Sequence, residues 1–68
     1  MKVFPVTIET DDGVYVLRNL KEAQETALKT ALNMKGCISR EYILSLDAKH
    51  LVSFIVRATE AWNVVYSD

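Results

Sequence analysis

The chain has 68 residues and a mass of 7.7 kDa, a size that predicts one small domain burying only about 60% of its unfolded surface. Half of the residues are hydrophobic and a quarter are charged, a composition typical of a folded protein rather than a disordered one. Eight basic against nine acidic residues give a net charge of −1, which disfavours a polyanion-binding tail. With one Cys and one His, disulfide frameworks and multi-ligand zinc sites are excluded. No apolar run approaches the length of a membrane span and no signal-peptide pattern occurs, so we expect a cytoplasmic protein without a membrane partner.

The first predicted element is a β-hairpin in residues 2–17, where β-branched and aromatic residues dominate. Asp12-Gly13 lies between two strand-like runs, which is the signal of a two-residue type I′ turn. This turn predicts a register in which Ile8 faces Leu17. The side chains that then share the core face are Phe4, Val6, Ile8, Tyr15 and Leu17.

An amphipathic helix is predicted next, over residues 20–35. Asn19 is a suitable N-cap, Glu22 follows three residues later as in a capping box, and Gly36 stands just past the predicted end. Three alanines make its apolar stripe shallow, so the helix can approach a neighbouring element closely. The stripe and the leucines that flank it are Leu20, Ala23, Ala27, Ala31 and Met34, with Leu28 and Leu32.

The segment 38–46 has two interpretations. Ser39 can cap a short helix that runs to Leu46, with Ile38 and Ile43 as its hydrophobic staple. Alternatively, the apolar residues of this segment would line one face of a strand, which would give the order ββαβα. The helix is the favoured interpretation.

A longer helix capped by Asp47 is predicted to follow. Val52 and Val56 lie outside its apolar arc, and residues 63–67 are either its frayed end or a short third strand. The apolar face consists of Leu51, Phe54, Ile55, Ala58, Ala61, Trp62 and Val65. The predicted fold is therefore a single small α+β domain over residues 1–68: an N-terminal β-hairpin packed on an amphipathic helix, followed by a short and a longer helix.

Catalytic and metal-binding patterns are poorly represented in the sequence. Cys37, His50 and Asp47 form the available nucleophile–base–orienter set, but nothing in their spacing brings the imidazole to the thiol. Asp11 and Asp12 offer fewer oxygen ligands than a calcium loop requires, and the isolated glycines form no phosphate-binding loop. We therefore expect a protein that is not an enzyme, with no catalytic residues, no cofactor and no metal site.

Residues 38–62 can also be drawn as a helix-turn-helix, a motif that would indicate nucleic-acid binding. The outward residues of its second helix would be Lys49, His50, Ser53 and Arg57. A recognition helix usually presents more Arg, Lys, Asn or Gln at its N-terminal face, and the eight basic residues are scattered along the chain. A nucleic-acid-binding regulator is therefore the alternative function, and nucleic acid is a disfavoured partner.

About half of the chain carries a family-like pattern. The opening reads Met1-Lys2, Pro5-Val6, Ile8-Glu9, Asp12-Gly13 and Tyr15-Val16, and the helix that follows reads Glu22-Ala23, Ala27 and Ala31-Leu32. Both stretches resemble HicB-type antitoxins, and the resemblance implies an antitoxin-like regulator. That family has a further strand with Pro- and Gly-containing motifs between hairpin and helix. Here residues 14–17 pass almost directly into Asn19, so we do not infer toxin neutralisation or DNA binding for this chain from the resemblance.

The apolar residues left over from the predicted core indicate a binding surface. Val14 and Val16 lie on the hairpin face opposite Ile8. Trp62 falls on the main apolar stripe of the longer helix, which favours a place in the core, although large aromatic residues are also enriched at interfaces. The predicted protein-binding residues are Val14, Val16, Trp62, Val64 and Tyr66. We expect a small non-enzymatic protein that binds another protein as an inhibitor, adaptor or regulatory subunit, of the kind that phages and other mobile elements encode. A homodimer formed through the hairpin or the C-terminal segment is also predicted, because the second strand has an unprotected edge.

Overall fold

The computed structural model describes residues 3–33 and 38–66. In these ranges an antiparallel sheet of three strands is combined with three helices, which confirms the α+β class. The elements are β1 (Val6–Thr10), β2 (Gly13–Leu17), α1 (Leu20–Leu32), α2 (Arg40–Ser45), α3 (Ala48–Thr59) and β3 (Asn63–Tyr66). The strand order is β2-β1-β3, so that β1 is central and both of its neighbours run antiparallel to it.

The hairpin forms with a register that differs by two residues from the predicted one. Ile8 pairs with Tyr15 rather than with Leu17, so the predicted pairing is wrong. Because side chains alternate across a strand, a shift of two residues leaves every side chain on its predicted face. Val6, Ile8 and Leu17 are accordingly buried, and Phe4 packs against the core with Tyr15.

The turn explains this shift. Thr10 pairs with Gly13, so the two-residue loop is Asp11-Asp12 and not Asp12-Gly13. Of these turn residues only Gly13 has a positive φ, of 139°, whereas a type I′ turn needs positive φ at both central positions. The Thr10 hydroxyl donates to the Gly13 carbonyl at 3.0 Å and accepts the Asp12 N–H at 3.1 Å, which satisfies the polar groups at the closed end.

Helix α1 begins as the capping pattern predicts. The Asn19 side chain accepts the Glu22 N–H at 2.9 Å, and the Glu22 carboxylate accepts the Arg18 N–H at 2.9 Å, so two of the exposed donors at this terminus are satisfied. Helix α1 ends at Leu32, with Asn33 as its C-cap. The predicted contributions of Met34 and Gly36 lie outside the described residues.

The shallow stripe of α1 is used for close packing. Ala23 and Ala27 are fully buried, and α1 packs against α3 and β2. Leu32 is 86% exposed, so its predicted place on the apolar face is wrong. At 100° per residue Leu32 lies about 140° away from Ala27 around the helix, which turns it toward solvent. Leu20, in the first turn, is also exposed.

Helix α2 confirms the helical interpretation of residues 38–46 and makes the ββαβα alternative wrong. Ser39 is its N-cap and accepts the Tyr42 N–H at 3.1 Å. Ile43 is fully buried and Ile38 packs against the same core, as expected for a hydrophobic staple that fixes the entry of the chain.

Helix α3 is shorter than predicted. It stops at Thr59, where Glu60 adopts a left-handed conformation with φ 53° and the Ala61 N–H donates to the Val56 carbonyl at 3.0 Å, a Schellman-type ending. Trp62 therefore leaves the helix and is 65% exposed, which contradicts its predicted place in the core.

The buried face of α3 is also rotated relative to the prediction. Val52 is buried and Val56 is partly buried, although both were expected outside the apolar arc. The fully assembled core is made by Val6, Ile8, Leu17, Ala23, Ala27, Ile43, Leu51, Val52 and Ile55. One helical layer and one sheet give a thin molecule of 34 × 26 × 14 Å.

Candidate protein-binding surface

The sheet has one side turned away from the core, formed by the side chains that alternate with the buried ones. Across the three strands, Val16 lies opposite Thr7, and Thr7 lies opposite Val65. In the next row Glu9 is flanked by its β2 and β3 partners in the same way. We call this side of the sheet the outer face, and its residues are Val14, Val16, Thr7, Glu9, Asn63 and Val65.

Three valines on the outer face expose much of their surface. Val14 is 59% exposed, Val16 is 51% exposed and Val65 is 46% exposed. Complete burial of a valine side chain stabilises by roughly 1.5–3 kcal/mol, so covering one that is half-exposed is worth on the order of 1 kcal/mol. β-Branched side chains on paired strands also lose little rotamer freedom when a partner covers them.

The polar pair on the outer face fixes the position of β3 relative to β1. The Asn63 amide donates to the Glu9 carboxylate across the two strands, and the Trp62 N–H donates to the Glu9 carbonyl at 3.0 Å. Glu9 is only partly exposed. The bonds hold the start of β3, and with it the exposed Trp62, against the central strand.

The five predicted binding residues are divided between two sides of the sheet. Val14 and Val16 lie on the outer face as predicted, and Trp62 is exposed just before β3. Val64 lies opposite Ile8 and packs against the core, so it is only partly accessible. Tyr66 lies opposite Val6, on the same side as the core, and is about half-exposed there.

Val65 also belongs to the outer face, although the helical pattern predicts it on the apolar face of the longer helix capped by Asp47. Its place in β3, opposite Thr7, puts it on the outer face instead. This position could be predicted for any strand over residues 63–66, because alternating side chains place Val65 on the opposite side of the sheet from Val64 and Tyr66. What the sequence did not provide was the end of α3 at Glu60.

The only histidine acts locally as part of a helix cap. Asp47 accepts the His50 N–H at 2.9 Å, and its Oδ1 lies 2.7 Å from His50 Nδ1, with both side chains exposed. The backbone N–H of His50, followed by its side chain, holds the pKa of Asp47 below the ordinary value of 3.8. Cys37 lies outside the described residues, and residues 3–33 and 38–66 contain no group of three His, Cys, Asp or Glu placed to hold a metal.

Two open grooves occur on the helical side. The larger, of about 470 Å³, lies between the hairpin turn and the C-terminal ends of α1 and α3. Thr30 and Thr59, two of its lining residues, donate their hydroxyls to carbonyls one helical turn earlier, so they are already engaged. The smaller, of about 120 Å³, lies between α2 and α3 beside Tyr42 and Arg57. His50 and Ser53 of α3 also line the smaller groove, and His50 Nδ1 is engaged with the Asp47 carboxylate.

Comparisons with known proteins gave no relative. No protein-family model matches the chain, no curated protein matches it, and no solved structure matches it. The partial likeness to HicB-type antitoxins thus has no counterpart among the family models. Within the two described ranges no helix has the length and apolar character needed to cross a membrane.

Proposed function

We propose that this chain is a small non-enzymatic protein that binds another protein through the outer face, as an inhibitor, adaptor or regulatory subunit. The observation that carries the proposal is the set of three half-exposed valines on one side of the sheet, Val14 and Val16 on β2 and Val65 on β3, with Thr7 and Glu9 of β1 between them. Exposed apolar side chains gathered on one side of a small protein and bordered by polar ones are typical of association sites. A paired sheet also presents these side chains in a fixed geometry, which lowers the entropic cost of binding.

The chemistry of the outer face specifies the partner. Valines at the positions of Val14, Val16 and Val65 favour an apolar contact surface, and the charged Glu9 carboxylate needs a further donor from the partner besides the Asn63 amide. A covered carboxylate without such a donor would be strongly unfavourable. The partner therefore brings a Lys, an Arg or backbone N–H groups to Glu9.

The test compares one outer-face variant with one matched variant on α1. Immobilised wild-type chain captures its partner from host extract, and the dissociation constant of the purified partner is then measured by calorimetry. Val65→Lys should weaken binding at least about tenfold, since it removes an apolar contact and places a charge in the interface. Leu32→Lys makes the same kind of change at a residue that is 86% exposed on α1, and should leave the affinity unchanged. Equal effects of the two variants would contradict the proposal.

A nucleic-acid-binding regulator is the competing proposal, and one observation supports it. Lys49, Ser53 and Arg57 are exposed at intervals of four residues along α3, so they form one line on the helix surface. Asp47 and Glu60 stand at the two ends of α3 and oppose an approaching phosphate backbone. Affinity that falls steeply with salt and is lost in Arg57→Ala, but not in Val65→Lys, would favour nucleic acid.

A further inference from the structure

Strand β2 lies at one edge of the sheet, and its hydrogen-bonding direction can be deduced from its neighbours. The Glu9 carbonyl accepts the Trp62 N–H, so the peptide groups of Glu9 face β3. Val14 is the β2 partner of Glu9. Because antiparallel strands alternate between hydrogen-bonded and non-bonded pairs, Val14 and Val16 direct their N–H and C=O groups away from β1. Within the described part of the chain, β1 is the only strand that pairs with β2.

The sequence of this edge is complementary to itself when it is reversed. The strand reads Gly13-Val14-Tyr15-Val16-Leu17 with Tyr15 at the centre, and it is flanked by the acidic turn residue Asp12 on one side and by the basic Arg18 on the other. If two copies pair antiparallel about Tyr15, Val14 lies opposite Val16 of the second copy. Asp12 then lies opposite Arg18 of the second copy, and the symmetry repeats this ion pair at the other end.

The neighbouring registers lack this match. Centring the pair on Val14 places Asp12 opposite Val16, and centring it on Val16 places Arg18 opposite Val14. Opposite charges and β-branched pairs stabilise directly opposed positions, whereas a charge opposed to a valine gains neither contact. All three registers use the outward-pointing peptide groups of Val14 and Val16 for hydrogen bonds, so the opposed side chains are what favour the register centred on Tyr15.

We propose that the chain forms a two-fold homodimer in which β2 pairs antiparallel with β2 of a second copy, centred on Tyr15. The two three-stranded sheets would join into one sheet of six strands. In the dimer the two outer faces lie side by side, so a partner protein meets a doubled apolar surface.

The charges at the ends of β2 provide a sharp test. Arg18→Asp places two acidic residues opposite each other at both ends, and Asp12→Arg does the same with basic residues, so each should raise the dimer dissociation constant about tenfold or more. The double variant Asp12→Arg/Arg18→Asp restores opposite charges and should return the constant to about the wild-type value. Lys49→Asp, a charge reversal on α3, is the matched control and should leave it unchanged. Sedimentation equilibrium across the micromolar range measures all four.

Hydrogen exchange measures the protection of individual amide protons at the proposed interface. The amide protons of Val14 and Val16 should exchange more slowly as the protein concentration rises, whereas the amide proton of Tyr15, which points toward β1 in either state, should not respond. A mass near 7.7 kDa at every concentration would overturn the proposal. A dimer whose dissociation constant is unchanged by both single charge reversals would also overturn it, as would exchange rates at Val14 and Val16 that do not depend on protein concentration. Circular dichroism checks folding, and Asp12→Arg serves as the decisive variant should Arg18→Asp unfold.

Discussion

Replacement of Gly13 isolates the energetic cost of one backbone conformation. Gly13 has φ 139°, a value that L-residues rarely adopt, and a Cβ added there would meet no atom within 4 Å. A change in stability in Gly13→Ala therefore comes from the backbone and from the unfolded state, and not from a steric clash.

The magnitude follows from two opposing terms. Holding a non-glycine residue in a sparsely populated φ/ψ region costs of order 1–3 kcal/mol. Replacing glycine by alanine recovers about 0.4–1 kcal/mol, because the unfolded chain loses conformational freedom. Gly13→Ala should thus lower the free energy of unfolding by about 1–2 kcal/mol. For a chain of this length this corresponds to a drop in melting temperature of roughly 7–14 °C.

Urea unfolding at one fixed protein concentration is the appropriate assay, because association would make the midpoint concentration-dependent. The midpoint should fall while the slope m stays constant, and Gly13→Val should lose at least as much stability as Gly13→Ala, since a β-branched residue is further restricted. An alanine variant as stable as the wild type would refute the reasoning, because the open space around Cβ leaves no packing gain to mask the strain.

Three further changes have defined outcomes. Glu60→Gly should raise the free energy of unfolding by about 0.5–1 kcal/mol, because Glu60 has φ 53° and glycine tolerates the left-handed region; thermal unfolding measures the gain. Asn19→Ala should lower it by about 1 kcal/mol through loss of the bond to the Glu22 N–H, as measured in urea. The lowered pKa of Asp47 contributes stability that is present above pH 3.8 and is lost as the pH falls through the pKa of the folded state. On acidification the wild type should therefore lose stability relative to Asp47→Asn.

Each of these changes has its own control. Glu60→Ala removes the charge and retains the left-handed strain, so a gain as large as that of Glu60→Gly would show that charge, and not conformation, matters. Asn19→Asp keeps an acceptor at the cap and should stay close to wild type; a loss equal to that of Asn19→Ala would contradict the capping role. Parallel acid curves for wild type and Asp47→Asn would mean that Asp47 does not carry the pH dependence.

Local signals in the sequence were sufficient to predict where all three helices begin. Asn19, Ser39 and Asp47 were predicted as caps, and each accepts an N–H three residues later. Capping depends on a few adjacent residues, so a sequence contains all that is needed. The side of the hairpin that faces the core was also predictable, because the alternation of β-branched residues survives an even shift in register.

Non-local pairing and one unusual residue account for what the sequence did not disclose. The end of α3 depends on Glu60 in a left-handed conformation that glycine or asparagine usually provides, so the pattern suggested a helix continuing through Trp62. Because the end of α3 was not predicted, a third strand was only one of two interpretations of residues 63–67, and the outer-face position of Val65 did not follow from the sequence. The candidate surface was therefore half-predictable: Val14 and Val16 followed from the hairpin, whereas Val65 required the pairing of β3 with β1.

The central position of β1 has a consequence for the order in which the domain assembles. One neighbour, β2, is two residues away along the chain, whereas the bond between Glu9 and Asn63 spans 54 positions. Closing the longer loop costs more chain entropy, and topologies with distant strand pairing fold more slowly. We expect the hairpin and α1 to form early and β3 to dock last, after α3 has packed. Until β3 docks, both edges of the hairpin would be open to intermolecular strand pairing.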